Sequence, residues 1–432
     1  MHSTAYKRYL LVLLMVILAC NYMDRMALGM VLQDIKADLS LSDTELGFLS
    51  GIAFALFYSV MGIPIARWAD RGNRITIITV TTALWSVAVA LCGVAGSFLQ
   101  LMLIRVGVAV GEAGCMPPAH SLISDHFTRE ERPRAIGIYT MGASLSFFFG
   151  YFLAGWFNEF YGWRATFMVL GLPGLVFAAL AWFTLKEPRK ISTAAAIEPP
   201  AISVVWKTLW ANGTFRNLLL CFSVTLFFTY GVLQWQPAFF IRTYGLKTGE
   251  LGSWLALAYG GCGLFGNYFG GTIASRYAAG NERLQLSVMG VVFFGIALFS
   301  VAVYLAPNHY WAIGALCFAM VGLSAINGPI LATIQTLVPP DMRATAVALL
   351  LLFSNLIGMG LGPLATGALS DALRPQFGEE SLRYALLALS PGYLWCAWYV
   401  WRASRTVMSD LSANRAQEQG EVASRSGVAL AD

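Results

Sequence analysis

The chain is built from apolar runs of roughly 20 residues, the length that a helix needs to cross the hydrocarbon core of a bilayer. Short clusters of charged residues separate these runs, and only 12% of the chain is charged, against roughly 25% in an ordinary soluble protein. No water satisfies the backbone inside a bilayer, so spanning segments are restricted to helices and closed barrels. The runs are too continuously apolar for the alternating strands of a barrel. The sequence therefore predicts an all-α polytopic membrane protein.

We predict twelve transmembrane helices, arranged as two pseudo-symmetric six-helix bundles. The predicted spans are residues 8–32, 44–66, 75–96, 98–121, 136–158, 165–185, 216–241, 249–274, 284–306, 309–335, 345–370 and 382–403. The N-terminal bundle covers residues 1–185 and the C-terminal bundle residues 216–404, with a polar linker at residues 186–215 between them. Residues 405–432 are polar and lack aromatic side chains, so we expect a disordered tail.

Lysine and arginine are concentrated in the segments on the same side as the two termini. By the positive-inside rule this predicts cytoplasmic termini, in the inner (plasma) membrane of the cell. The first apolar run, after Lys7 and Arg8, resembles a signal peptide with a weak lipoprotein-type end at Cys20. The run continues past Asp24 and Arg25, however, so we interpret it as a retained first helix. The seven cysteines lie in apolar runs without metal-ligand spacing, which predicts neither a disulfide framework nor a metal site.

The two halves of the chain carry a weak internal repeat. The segment from Asp70 to Arg74 follows the second predicted span, and a related segment from Ser275 to Arg283 follows the eighth. Arg134 and Arg343 end the loops after the fourth and tenth spans, again about half a chain apart. Two duplicated six-helix halves are typical of a secondary transporter with a substrate site near the midplane between them.

These features resemble the major facilitator superfamily over roughly residues 8–404. The segment Asp70-Arg71-Gly72-Asn73-Arg74 is similar to the signature loop of that family between helices 2 and 3, although Ala66 stands where a glycine usually begins it. Helix 4 carries Arg105 followed by Gly107, Gly111 and Gly114, and helix 11 is rich in glycine, with Gly358, Gly360, Gly362, Pro363 and Gly367. The resemblance implies alternating access by a monomer.

A narrower resemblance is to the spinster-like branch, whose animal members move lysolipids and sphingosine phosphate. It rests on Asn21-Tyr22-Met23-Asp24-Arg25 in helix 1 and on Gly111-Glu112-Ala113-Gly114-Cys115-Met116-Pro117 in helix 4. It implies a proton-sensitive carrier whose acids and arginines line the N-terminal half of the cavity. Bacterial carriers of organic acids share parts of the same pattern.

Four ionisable residues inside the predicted spans are the candidates for chemistry: Asp24, Arg25, Arg105 and Glu112. A charge at membrane depth is costly and usually faces a bundle interior or a wet cavity. Arg105 and Glu112 are seven residues apart and share a helix face, whereas Asp24 and Arg25 diverge by about 100°. We therefore predict pairing across helices, with Asp24 and Glu112 coupling protons and the arginines serving as charge partners or as ligands of a substrate anion. The alternative is a static salt-bridge network that only locks the bundle.

A second predicted set controls conformation and comprises Asp70, Arg71, Arg74 and Arg134. Asp70 lies at a helix end, where it could accept hydrogen bonds from the N-terminus of helix 11 and pair with Arg134. Such a latch would form only while the two halves meet on the cytoplasmic side, and it would stabilise the outward-open state. The alternative is a solvated loop charge.

The predicted cavity wall is aromatic and uncharged in the C-terminal half, which contains no convincing acid or base within its spans. The candidates are Phe54, Tyr58, Phe147, Phe148, Tyr230, Gln234, Trp235, Tyr259, Asn267, Asn327 and Asn355. A charged half that faces an apolar half suits an amphiphile with an anionic head. For any single aromatic residue, packing or lipid contact is the competing interpretation.

The sequence thus favours a proton-coupled or proton-regulated carrier of an amphipathic anion such as a lysolipid, with membrane lipids around it. A carrier of small organic acids is the alternative. A channel or receptor is disfavoured because the sequence has no acidic ring, filter-like repeat or large loop. An enzyme or a nucleic-acid-binding protein is disfavoured because no nucleophile–base pair, metal cluster or phosphate loop is recognisable and the basic residues flank membrane spans.

Overall fold

The computed structural model describes residues 3–128, 130–188, 202–277, 281–338 and 343–428, which form helices joined by short turns. The N-terminal half contains α1 Thr4–Leu39, α2 Asp43–Ser50, α3 Ile52–Arg71, α4 Arg74–Cys92, α5 Phe98–Glu112, α6 Met116–His126 and α7 Arg132–Thr184. The C-terminal half contains α8 Ile202–Ala211, α9 Gly213–Tyr244, α10 Thr248–Leu255, α11 Cys262–Tyr277, α12 Glu282–Leu305, α13 His309–Thr336, α14 Arg343–Asn355, α15 Gly362–Phe377, α16 Ser381–Leu389 and α17 Tyr393–Val428. Two π-helical segments, Ala256–Gly261 and Leu356–Leu361, interrupt the α10–α11 and α14–α15 helices.

Nine helical segments of the described chain are long and apolar enough to cross a membrane. The segment Arg134–Thr184 is broken at Gly162, whose φ of 78° no helix interior adopts, and it therefore makes two passes. The segment Leu349–Ser412 turns at Gly378, with a φ of 57°, and also makes two passes. With the helix over Thr248–Tyr277, the arrangement is consistent with the twelve predicted spans.

Polar side chains begin several of these helices at the points where the apolar runs start. Ser42 and Glu45 form a capping box at α2, Asn73 accepts from the first turn of α4, and Ser97 caps α5. Each cap satisfies backbone N–H groups that have no partner within the helix. The predicted spans begin within a few residues of the observed helices because hydropathy and caps change at the same places.

The linker and tail differ from their predictions where the structure describes them. The short helix α8, which the sequence did not predict, occupies part of the predicted linker. The last helix continues to Val428, whereas the sequence predicted disorder from residue 405. Residues 189–201 and 429–432 lie outside the described residues.

The two halves pack through small residues at the end of the molecule opposite the termini, called the far end below; the end that carries the termini is the near end. Here α1 contacts α9, α2 contacts α15, and α7 contacts α10. A Cβ atom built on Gly47 would lie 2.5 Å from the carbonyl oxygen of Pro363, and one on Gly367 would meet the Asp43 backbone at 2.2 Å. Glycine thus permits the backbones of α2 and α15 to touch, as is common between membrane helices.

Candidate functional site

The structure brings the four predicted charges together in the interior of the N-terminal half. Asp24 and Arg25 lie just past the middle of α1, and Arg105 and Glu112 lie on α5. All four side chains are buried, and the most accessible of them, Arg25, belongs to a residue that is 7% exposed. At this depth an isolated charge would be very unfavourable, so the geometry of the pairs decides what the cluster can do.

Two ion pairs link α1 to α5, in the crosswise manner that the helix angles predict. Arg25 donates from Nε and Nη2 to Glu112 Oε2, at 2.9 and 2.8 Å. Arg105 donates from Nη1 to Asp24 Oδ2 at 2.5 Å. Because each acid has its own arginine, the set of four charges is neutral as long as both acids are ionised.

Aromatic rings enclose the Arg25 guanidinium. Its Cζ atom lies 4.5 Å from the ring centre of Tyr22 and 4.8 Å from those of Phe54 and Tyr58. Phe54 also stacks on Tyr58, with ring centres 5.6 Å apart, and lies 5.2 Å from the Cζ atom of Arg105. Cation–π contacts strengthen when they are desolvated, so these rings stabilise the arginine where water is scarce.

The position of Glu112 follows from a break in the fourth span. Helix α5 ends at Glu112, a turn follows, and α6 starts at Met116 with proline in its first turn. Gly111 and Gly114 lie so close to α4 that a Cβ atom would be 2.6 Å from the backbone of Trp85 and 2.3 Å from the side chain of Thr81. The glycines of this segment therefore let α5 pack tightly while the break turns Glu112 toward α1.

Four buried polar atoms of the cluster lack a hydrogen-bond partner within the described protein. They are Asp24 Oδ1, Glu112 Oε1, Arg105 Nε and Asn21 Nδ2. Most buried polar atoms in proteins are satisfied, and an exception is costly. These atoms are the ones that a proton, a water molecule or a polar substrate would satisfy, which makes the cluster chemically incomplete on its own.

A narrow cavity joins the charged cluster to the C-terminal half. Its volume is about 20 Å³, which suffices for one water molecule. Its walls are formed by Arg25, Ser50, Phe54, Arg105, Tyr230, Leu233, Gln234, Met359 and Pro363. The predicted residues Phe54, Tyr230 and Gln234 are thus at the cavity, whereas Ser50, Leu233, Met359 and Pro363 were missed because nothing in an apolar helix distinguishes them by sequence.

Other predicted wall residues lie elsewhere. Trp235 does not line the cavity: it is fully buried and donates its indole N–H to the Pro363 carbonyl at 2.9 Å. Phe147 stacks on Tyr259 across the two halves, with ring centres 6.1 Å apart. Of the other four predicted wall residues, Phe148 and Asn267 are exposed, Asn355 is half-buried, and the side chain of Asn327 lies outside the described residues.

At the far end, Asp43 forms a junction between the halves that the sequence did not reveal. Arg242 of α9 binds both carboxylate oxygens of Asp43, at 2.8 and 2.7 Å, and Ser370 of α15 donates at 2.7 Å. Lys36 of α1 pairs with the same carboxylate. Asp43 is 1% exposed, so the far end is closed by a buried, multiply bonded charge.

A second carboxylate closes the same end by capping a helix of the opposite half. Asp371 of α15 accepts from the backbone N–H and hydroxyl of Thr44, at 2.7 and 2.6 Å, and from the Asp43 N–H at 3.2 Å. A carboxylate at a helix N-terminus is favourable because it meets unsatisfied N–H groups and the positive end of the dipole. The spacing of Ser42 and Glu45, which is typical of a capping box, is a sequence signal that could have located the N-terminus of α2.

The predicted latch residues at the near end play different parts. Arg74 is fully buried and pairs with Asp125 of the N-terminal half at 2.7 Å and with Glu187 at the start of the linker. In this conformation Arg74 therefore acts as a brace, and its role in the latch, which concerns the opposite state, stays a prediction. Arg71 and Arg134 are exposed, and the side chain of Asp70 lies outside the described residues.

The hydrogen bonds that join the halves within the described residues lie at the middle and far end. Arg25 reaches Met359 in the middle, and Tyr151 donates to the Leu233 carbonyl. Trp156 donates to Ser253 nearer the far end. A bilobed helical protein with charges at its centre and one end closed has the geometry of an alternating-access carrier.

Comparison with known proteins identifies the family. The model of the Major Facilitator Superfamily matches residues 14–363, which is most of the chain. The chain belongs to the major facilitator superfamily. Members of this superfamily are membrane transporters, and the spinster-like resemblance also holds.

Three individual similarities refine this assignment within the superfamily. An "MFS-type efflux pump" of Mycolicibacterium smegmatis is 32% identical over 377 residues, covering 85% of this chain and 86% of that protein. A "Probable L-galactonate transporter" of Escherichia coli is 25% identical, covering 85% and 82%. A crystal structure of a bacterial homologue of the human lysosomal transporter spinster, inward-facing and unoccupied, superposes with a TM-score of 0.83 at 30% identity and covers 95% of this chain and 99% of that one.

Proposed function

We propose that this protein is a proton-coupled secondary transporter of an amphipathic anion such as a lysolipid. The observation that carries the proposal is the neutral, buried set of two ion pairs beside a cavity that the C-terminal half closes with uncharged residues. An anion that entered this set would add an uncompensated negative charge to a buried site. Protonation of one acid removes that charge, so anion and proton should favour each other's binding.

Glu112 is the better placed of the two acids to take the proton. Each acid has one carboxylate oxygen without a partner among the described residues, but the arginine that binds Glu112 Oε2, Arg25, also contacts Met359 of the C-terminal half. If Glu112 is protonated, its hold on Arg25 weakens and the guanidinium becomes free to form a forked contact with phosphate or carboxylate. Asp24 and Arg105 would form a second acid–arginine pair at which a proton and the anion bind in the same way.

Alternating access requires that the closed end open while the other end closes. We assign the near end to the cytoplasm, on the positive-inside rule, so that closure at Asp43 corresponds to an inward-facing state. The inward-facing spinster homologue, with its TM-score of 0.83, supports this assignment. In the opposite state Asp70 and Arg134 would join the halves at the cytoplasmic end.

Uptake of a fluorescent lysophosphatidylglycerol into proteoliposomes with an imposed pH gradient tests the proposal. Transport should follow the gradient in the wild type, and Glu112→Gln should abolish the dependence on pH while the protein still folds. Glu131→Gln is the matched control, because Glu131 is an exposed carboxylate in a loop, where it forms an ion pair with Lys7 and accepts from the Thr128 N–H, far from the charged cluster. If Glu112→Gln retained the full dependence on pH, proton coupling through this acid would be refuted.

A carrier of small organic acids is the second candidate, and the similarity to the probable L-galactonate transporter favours it. The same arginines would bind a small carboxylate, but the uncharged C-terminal wall would then contact water rather than an acyl chain. Ligand-induced shifts of the melting temperature separate the two proposals. Stabilisation by lysophospholipids and none by galactonate or muconate supports the lipid substrate; the reverse result supports the acid.

A further inference from the structure

The π-helical segment Leu356–Leu361 lies between α14 and α15, in the eleventh predicted span, and Met359 is near its centre. Glycines flank this methionine. A Cβ atom on Gly358 would lie 2.5 Å from the Leu226 side chain, and the Gly360 carbonyl lies 2.5 Å from the Cβ position of Gly51. Single π-helical turns inside α-helices are rare and often mark functional sites. The glycines that made helix 11 conspicuous in the sequence thus press this turn against both halves of the protein.

The π-helical turn carries Met359 to the charged cluster. Its Sδ atom lies 3.5 Å from Nη1 of Arg25, and the residue is 3% exposed. The other donors of Arg25 that make hydrogen bonds, Nε and Nη2, both go to Glu112. One edge of the guanidinium therefore faces the C-terminal half and meets a thioether, which is among the weakest acceptors in proteins.

We propose that Met359 is a specificity-determining residue. In the empty transporter its sulfur contacts Nη1 of Arg25, and an oxygen of the anionic substrate displaces it from this position. The inference rests on the proposed function and deepens it. Phosphate and carboxylate oxygens form charge-assisted hydrogen bonds with arginine that a thioether cannot equal. The exchange is therefore more favourable for an anion than for an uncharged molecule.

The methionine side chain suits such an exchange. It has three rotatable bonds and a polarisable sulfur, so it can withdraw from Arg25 and still pack against an apolar ligand. Leu233 and Pro363 lie on the same cavity wall and would contact the adjoining apolar part of an amphiphile. Because Met359 belongs to the C-terminal half and Arg25 to the N-terminal half, arrival of the substrate replaces a contact between the halves.

Two substitutions at this position should change affinity in opposite directions. Met359→Leu keeps the volume and removes the acceptor, so the substrate no longer competes for Arg25 and should bind about threefold tighter. Met359→Gln places a strong amide acceptor at the same distance and should weaken binding about tenfold. Met289→Leu, in the core of α12 and 3% exposed, is the matched control and should bind as the wild type does.

The experiment measures the dissociation constant of lysophosphatidylglycerol by microscale thermophoresis for the four purified full-length proteins. Melting temperatures without ligand verify that all four are folded. Opposite shifts for the two Met359 variants support the inference, since a purely packing role would weaken binding in both. Equal affinities in all four proteins would overturn the role of Met359 alone, whereas no binding in any of them would overturn the proposed function and this inference with it.

Discussion

Replacement of Asp43 by asparagine should open the far end of this transporter. The Asp43 carboxylate accepts two of the three guanidinium hydrogen bonds of Arg242, whose Nε donates to Gln33, and it also accepts the hydroxyl of Ser370; Arg242 and Ser370 belong to the C-terminal half. None of these contacts can persist once the halves separate at that end. The substitution therefore removes stabilisation from the closed state and leaves the open state nearly unchanged.

The size of the effect follows from the burial of the pair. Removal of one partner from a buried ion pair costs about 3–5 kcal/mol. The Arg242 side chain is 6% exposed, so some water reaches it, and we take about 2–3 kcal/mol as the loss in the closed state. Lys36 stays beside residue 43 in both states and does not contribute to the difference. Since 1.4 kcal/mol is a factor of ten, the ratio of open to closed molecules should rise about 30- to 150-fold.

Double electron–electron resonance measures this ratio directly. Spin labels at Tyr161 and Tyr310 place one probe on each half at the far end, and these residues are 69% and 62% exposed. The labels require a background in which the seven native cysteines are replaced. Asp43→Asn should shift the distance distribution toward the longer component.

Asp38→Asn provides the control for the same chemical change at the same end. Asp38 pairs with Arg164 and accepts from Trp163, both in its own half. The Asp38→Asn variant should therefore show the same distance distribution as the wild type. The reasoning is refuted if Asp43→Asn leaves the distribution unaltered, or if Asp38→Asn produces an equal shift.

Two further substitutions test the packing of the halves and the stability of one of them. Gly47→Ala places a methyl group 2.5 Å from the Pro363 carbonyl, so the same spin labels should report a more open far end; an unchanged distribution would contradict the tight backbone contact. Arg74→Gln removes a buried guanidinium from Asp125 and Glu187, and at about 2 kcal/mol it should lower the melting temperature by about 4 °C. The far-end distances should not change in that variant, because the brace does not join the two halves.

Hydropathy and the cost of buried charge account for what could be predicted. A continuously apolar run long enough to cross a bilayer is stable there as a helix, so the spans follow from the hydropathy pattern along the sequence. Charges at membrane depth are costly unless they pair with one another, and this applies to Asp24, Arg25, Arg105 and Glu112. Their angular positions on two helices then limit the possible pairs, and the structure contains the crosswise pairs.

Residues whose importance arises only from the docking of the halves were not predictable. Asp43 and Arg242 look like ordinary loop charges in the sequence, since each lies at a helix end where charge is common. Met359 is one apolar residue among many, and its contact with Arg25 depends on a π-helical turn that hydropathy does not reveal. Arg74 lies in a recognisable motif, but its partner Glu187 is 113 residues further along the chain.

The ionic groups of the centre all belong to the N-terminal half, while Tyr230, Leu233 and Gln234 supply part of the opposite wall. On the proposed function, the proton-coupling groups would belong to the N-terminal half, and the C-terminal half would supply the uncharged wall that contacts the rest of the substrate. Exchange of side chains on α9 should therefore alter what is carried without disturbing the proton machinery. If that division holds, substitutions in the C-terminal half alone should be enough to change what such a carrier transports.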